Sequence, residues 1–285
     1  MKAQTMSIVV GGTACNASCP FCVSKQTEKS HPVKDVNWRN FDKACRLAEI
    51  AGCTTVLLTG KGEPTLYPEE ICCFLNGLGR YNFPLLELQT NGIELQKPNF
   101  TDEEEGWLMQ WMDFSLNTIC LSAVHYHPAK NREIYGNDYP EIDKLVNMLH
   151  QYGYTVRLSI MAMQGYIETT GDIRALAAFC RHNQIEQLTV RPIYGDPTSG
   201  DAGKWASQHT LTPESWSGIR AYFDNEGSRV LELAHGATVY DFEGQNLCLS
   251  NCLTTNTNAD DIRQLIYYPD GTISCDWRYT GARIL

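Results

Sequence analysis

Cys15-Asn-Ala-Ser-Cys19-Pro-Phe-Cys22 sets three cysteines at C-x3-C-x2-C spacing, just after the apolar run Ser7-Ile-Val-Val10 and the turn Gly11-Gly12-Thr13. Three thiolates can hold three irons of a cubane iron–sulfur cluster, whereas the all-cysteine site has four protein ligands. The missing ligand leaves one iron open to a group that is not protein. A structural zinc site competes for these cysteines, but it wants four ligands, often as two Cys-x2-Cys pairs. The nearest further ligand, His31, stands nine residues past Cys22 and fits no common zinc spacing. A disulfide framework suits small exported chains, not 285 residues with no export signal.

Working outward, the chain alternates short β-branched runs with amphipathic stretches. Residues 7–10 read as a first buried strand. Residues 37–51 place Trp38, Phe41, Ala44, Cys45 and Ala48 at helical spacing, with Asn37 as cap and Gly52 as stop. Residues 54–59 form a second strand leading into Gly60-Lys-Gly-Glu-Pro64. A helix opens at Pro68 with acids in its first turn. Residues 85–90 form a third strand, ending in Thr90-Asn91-Gly92. A capped, acid-led helix is expected over 101–114. Residues 117–122 form a fourth strand with Ser122 at its mouth. Helices over 140–153 and 170–183 bracket a fifth strand, 154–161, where alternation puts Arg157 and Ser159 on one face. Residues 187–193 form a sixth. Repeated βα units of this kind predict a parallel sheet with helices outside.

These motifs resemble the radical S-adenosylmethionine (SAM) enzymes, whose signature is this cysteine spacing with an aromatic residue, here Phe21, before the last cysteine. The resemblance implies an α/β fold, a partial (β/α)6 TIM-like barrel, with functional residues at the C-terminal ends of the strands. It implies a [4Fe–4S] cluster on Cys15, Cys19 and Cys22, with SAM chelating the open iron. It further implies reductive cleavage of SAM to a 5′-deoxyadenosyl radical, which takes a hydrogen atom from a small-molecule or peptide substrate. An electron donor such as flavodoxin or ferredoxin goes with that chemistry. Gly60, Gly62 and Glu63 correspond to the family's glycine–glutamate stretch, which holds the SAM ammonium, although glycine is usual where Lys61 stands. Asn91, Ser122, Ser159 and Arg157 fall where the family contacts the methionyl, ribose or carboxylate groups. The backbone from Arg191 to Ile193 falls against the adenine. No catalytic residue for the substrate step is named by these motifs.

After the sixth strand, residues 195–209 are rich in Gly, Asp, Ser and Thr and read as a long loop, a lid over the site. Residues 1–195 are therefore expected to form the barrel and residues 196–285 a small β-rich extension. Short strands are expected near 229–233 and 237–241. A hairpin is expected around Pro269-Asp-Gly271. Cys248, Cys252 and Cys275 in this extension resemble the auxiliary-cluster ligands of the GTP cyclase in molybdenum-cofactor synthesis, and imply a second [4Fe–4S] cluster. The spacing differs from that enzyme's, so buried thiols are the competing reading. Its Arg-rich tail has no counterpart in Arg278-Tyr-Thr-Gly-Ala-Arg-Ile-Leu285.

Composition bounds the rest. With 43% hydrophobic residues the chain can bury one large core. A net charge of −10 argues against broad nucleic-acid or membrane binding. No apolar run is long enough to span a bilayer, and the first residues lack a signal-peptide core, which predicts a cytoplasmic protein. Arg157, Arg191, Arg263 and Arg278 are candidates for an anionic substrate, each with an equally good ion-pair reading. His125 and His127 stand in a loop near the fourth strand. Two other classes stay open: a glycyl-radical-activating enzyme acting on a partner protein, and a non-catalytic metal-binding module.

Overall fold

The computed structural model describes residues 2–27, 35–102, 105–251 and 261–285. In chain order, β1 (Lys2–Val9) leads through the cysteine loop to α1 (Trp38–Ala51). Then come β2 (Thr55–Thr59), α2 (Pro68–Leu78), β3 (Leu85–Thr90), α3 (Pro98–Thr101), α4 (Trp107–Asp113) and β4 (Thr118–Ala123). These are followed by α5 (Pro128–Tyr135), α6 (Ile142–Gln151), β5 (Thr155–Ala162), α7 (Thr170–His182) and β6 (Gln187–Pro192). Last come α8 (Gly200–His209), α9 (Pro213–Glu226), β7 (Ser228–Leu233), β8 (Ala237–Phe242), β9 (Gln245–Leu249), β10 (Asp261–Tyr267) and β11 (Ile273–Ser274).

The first six strands lie side by side in sequence order and are all parallel. With right-handed crossovers, an order that never reverses puts the helices on one face and leaves the other concave. That is the geometry of a partial TIM-type barrel. The expected cap on α1 is present: the Asn37 side chain accepts from Asn40 N, and Gly52 ends the helix at φ 85°.

The C-terminal strands do not form a sheet of their own. β9 pairs parallel to β6, and β10 pairs parallel to β1, so the extension lengthens the barrel sheet at both edges. Antiparallel strands then finish each side, β8 and β7 beyond β9 and β11 beyond β10. The β8–β9 turn has positive φ at both Glu243 and Gly244, the backbone of a tight hairpin. β9 escapes sequence reading because its parallel partner is set by the fold, not by a neighbouring run.

Two other elements differ from expectation. The segment read as a lid over 195–209 contains the helix α8. Asp196 ties its entry by accepting from Thr198 and Ser199, and Ala206 is buried. Gly203 is there because a Cβ would stand 1.8 Å from the Asp196 carbonyl oxygen. Close packing, not loop chemistry, is the reason for that glycine. The helix expected over 101–114 is two short helices, α3 and α4, and residues 103–104 lie outside the described residues.

An aromatic cluster joins the extension to the barrel. Phe41 of α1 has ring centroids 5.4 Å from Trp38, from Phe74 of α2 and from Tyr267 of β10. Tyr267 also donates its hydroxyl to Asn37 O at 2.9 Å, and Asn40 donates to Gly271 O at 3.0 Å. The Pro269–Gly271 turn thus clamps the start of α1. Replacing Phe41 with Ala removes the shared ring of this cluster. The expected loss is about 3–5 kcal/mol of stability, read from urea unfolding of the anaerobically prepared protein.

Candidate active site

A cavity of about 440 Å³ opens where the parallel strands end and runs down into the concave face. Its mouth carries Cys15, Cys19 and Cys22, on the loop that follows β1. Cys15 is exposed, and Cys19 and Cys22 are partly buried. Burial pushes the Cys15 and Cys19 thiols up, Cys19 to about 12, and their mutual proximity with Cys22 adds to the effect. At Cys15 the Ala17 N–H, 3.5 Å from Sγ, acts in the opposite sense.

The glycine–glutamate stretch is fixed against this loop. Glu63 N donates to Ala14 O at 2.9 Å. A Cβ on Gly62 would stand 1.9 Å from the same carbonyl oxygen, so only glycine fits. The Glu63 carboxylate is buried at 4% exposure. Its Oε1 accepts from Thr65 N, the Thr65 hydroxyl and the Thr90 hydroxyl, and its Oε2 accepts from Asn91 N. Burial still pushes this acid up against the pull of those bonds. Asn91 extends the network: its Nδ2 donates to Asn16 Oδ1 at 2.7 Å, and Asn16 Nδ2 donates to Glu94 Oε1 at 2.9 Å. The ends of β2 and β3 are therefore wired to the cysteine loop through one buried acid.

Lys61 keeps its unusual place by turning aside. It is 6% exposed, donates to the Thr27 hydroxyl at 2.8 Å and lies 5.4 Å from the Trp277 ring centroid. Among the remaining expected residues, Phe21, Gly60, Ser122, Arg157, Arg191 and Cys248 all line the cavity. Arg157 is also paired with Glu87 on β3. Ser159 does not line it: although in register between Ser122 and Thr189, it is 2% exposed. The longer Arg157 and Met161, two residues away on the same face, do line the cavity.

The extension's cysteines part company. Cys248 on β9 lines the cavity, and Cys275 does not; its Sγ lies 3.3 Å from Ala282 O. Cys252 lies outside the described residues. His125 and His127 stack with ring centroids 5.0 Å apart and do not line the cavity. Sequence reading missed Tyr135, His235 and Trp277 as lining residues. Tyr135 sits on a short helix with no motif, and the other two come from the extension, whose path no local pattern reveals.

The donor set fits a cluster better than a single ion. Among the described residues no three His, Cys, Asp or Glu side chains are grouped so as to hold one metal ion, which a four-ligand zinc site requires. A cubane asks less, since each thiolate takes a different iron.

The comparisons agree with this geometry. The family model of the radical SAM superfamily matches residues 9–180, more than half of the chain. The chain belongs to the radical SAM superfamily. Membership implies SAM and a [4Fe–4S] cluster, and it makes the protein an enzyme. Solved structures with a similar fold include SuiB of Streptococcus suis bound to S-adenosylmethionine, at 14% identity and TM-score 0.60, over 95% of this chain and 60% of that one. A radical SAM methyltransferase from Sphaerobacter thermophilus matches at 13% identity and TM-score 0.58, over 86% of this chain and 66% of that one. The protein described as anSMEcpe with bound AdoMet matches at 16% and 0.53, over 79% of this chain and 60% of that one. At these identities the likeness is one of fold, and the chain spans about 60% of the SuiB chain. No curated protein matches the sequence. Among the described residues no helix is long and apolar enough to cross a membrane.

Two outcomes test the site. Gly62→Ala is expected to push Ala14 and the cysteine loop aside and to lose most of the iron after anaerobic reconstitution, while circular dichroism shows the fold retained. In metal-free protein, Cys19 alkylation by iodoacetamide is expected to rise about tenfold per pH unit through pH ~10, because only the thiolate reacts. A plateau near pH 9 at Cys19 would contradict the burial seen here.

Proposed function

We propose that this superfamily member cleaves SAM reductively and uses the resulting 5′-deoxyadenosyl radical to remove a hydrogen atom from a small molecule or peptide. The observation that carries the reading is the cysteine loop at the mouth of a cavity lined by strand ends, locked to Gly62 and Glu63. When bound, the [4Fe–4S] cluster on Cys15, Cys19 and Cys22 supplies the electron that breaks the sulfonium bond, taken in turn from a flavodoxin- or ferredoxin-type donor.

This chain's own residues hold and orient. The backbone of Gly60–Glu63 faces the SAM ammonium. The Glu63 side chain acts through position, since its oxygens are engaged by Thr65, Thr90 and Asn91. Asn91 and Ser122 stand on the same rim for the methionyl and ribose groups, with Arg191 near the C-terminal end of β6 and Arg157 one step deeper, level with Cys120. The concave wall excludes bulk water from the reacting carbon. A cavity of this size suits a small molecule or one side chain of a peptide. A SuiB structure holds its precursor peptide SuiA, so a peptide segment is the second substrate class to test.

Reconstituted wild type is expected to carry about four irons and to form 5′-deoxyadenosine with SAM and dithionite. The variant with Cys15, Cys19 and Cys22 all changed to Ala is expected to carry none and to form no product. The same iron count decides the second cluster implied by Cys248, Cys252 and Cys275. About eight irons falling to about four in the variant would establish it. An iron-loaded wild type that forms no 5′-deoxyadenosine would overturn the reading.

A further inference from the structure

The protein carries a net charge of −10, yet its cavity is basic. Among the described residues the lining holds Lys61, Arg157, Arg191 and Arg263 against one acid, Glu63. That acid is occupied by its own hydrogen bonds at the rim. Lys61 belongs to the same stretch as Glu63, whereas Arg157 and Arg191 stand on β5 and β6, three and four strands along the sheet from β2. Cys248 on β9 lines the same cavity as Arg157, Arg191 and Arg263.

The partners of these arginines differ. Arg157 is neutralised by Glu87. Arg220 donates to two neutral acceptors, Gly236 O at 3.0 Å and the Thr238 hydroxyl at 3.2 Å. Arg263 donates to Asn251 O at 3.2 Å. Arg191 makes no ion pair among the described residues, and its buried Nε has no acceptor. A guanidinium offers five N–H donors in a fixed fork that matches carboxylate or phosphate. Leaving a buried N–H of such a group unanswered is costly, so a protein keeps it where a ligand supplies the anion.

We infer that Arg191, with Arg263 beside Cys248, binds an anionic group of the substrate, a phosphate or a carboxylate. The inference rests on the radical SAM reading and names the substrate class for that site. One placement favours the substrate over the carboxylate of SAM. Arg191 and Cys248 stand on β6 and β9, four and five strands along the sheet from β2, whose end leads into Gly60–Glu63. Arg191, Tyr135, Cys19 and Cys22 line the same cavity, so an anion held at Arg191 keeps the rest of its molecule within the space that the cysteine loop borders.

The test uses reconstituted protein preloaded with SAM and titrated with inorganic phosphate at constant ionic strength, chloride serving as the reference salt. Thermal shift reads phosphate binding, and equilibrium dialysis reads SAM binding. The expected result is a saturable rise in Tm with phosphate and no competition with SAM. Arg191→Gln is expected to weaken phosphate about tenfold to a hundredfold, with a much smaller change in SAM affinity, and Arg191→Lys to recover part of the loss. If Arg191→Gln fails to fold, Arg263→Gln and the wild-type competition experiment decide. No saturable shift in the wild type overturns the inference. So does competition between phosphate and SAM, or an equal loss of both in Arg191→Gln, since the arginine would then serve the cofactor. Iron lost together with phosphate binding in Cys248→Ser also overturns it, by assigning the basic wall to a second cluster. A wild type that binds neither iron nor SAM fails the radical SAM reading itself, a separate outcome.

Discussion

The site depends on one buried carboxylate. Glu63 accepts four hydrogen bonds, from Thr65 twice, Thr90 and Asn91, and its own backbone N–H reaches Ala14 in the cysteine loop. A buried acid is tolerated only when its lone pairs are met, and here they are met by the ends of two neighbouring strands. The same contacts fix the distance between the cysteine loop and the rim of the barrel. Asn91 carries the linkage on to Asn16 and Glu94, so the loop is held from both sides. Gly62 completes the lock, because any side chain there would collide with Ala14.

Much of this was legible in the sequence because the signals are local. A cysteine triad, a glycine–glutamate turn after an apolar run and a Thr-Asn-Gly strand end are each written in a few adjacent residues. Their order along alternating strands and helices fixes which edge of the sheet they share. Asn37 as helix cap and Gly52 as stop were readable for the same reason. The role of Glu63 was only half readable. Its position follows from the motif, but its engagement by Thr65, Thr90 and Asn91 comes from tertiary packing.

What stayed hidden is non-local. β9 and β10 join the sheet beside β6 and β1, far away in sequence, and no run of residues announces a parallel partner. Gly, Asp, Ser and Thr over residues 195–209 read as loop, yet Gly203 of α8 serves close packing against Asp196. Alternation put Arg157 and Ser159 on one face, but it could not tell that Ser159 is buried while Arg157 reaches the cavity. The extension's cysteines share a composition signal without sharing a place, since Cys248 lines the cavity and Cys275 does not. The basic wall is equally non-local, assembled by strands that meet only when the barrel edges are extended.

The central claim is that the cysteine loop presents a cluster with one iron left for SAM. Electron paramagnetic resonance of the dithionite-reduced, reconstituted protein tests it most directly, with spectra taken before and after SAM is added. The account predicts the signal of a reduced [4Fe–4S] cluster whose g-values shift on adding SAM, and no such signal in the variant lacking Cys15, Cys19 and Cys22. A reduced cluster whose spectrum ignores SAM, or one that survives loss of all three cysteines unchanged, would contradict it.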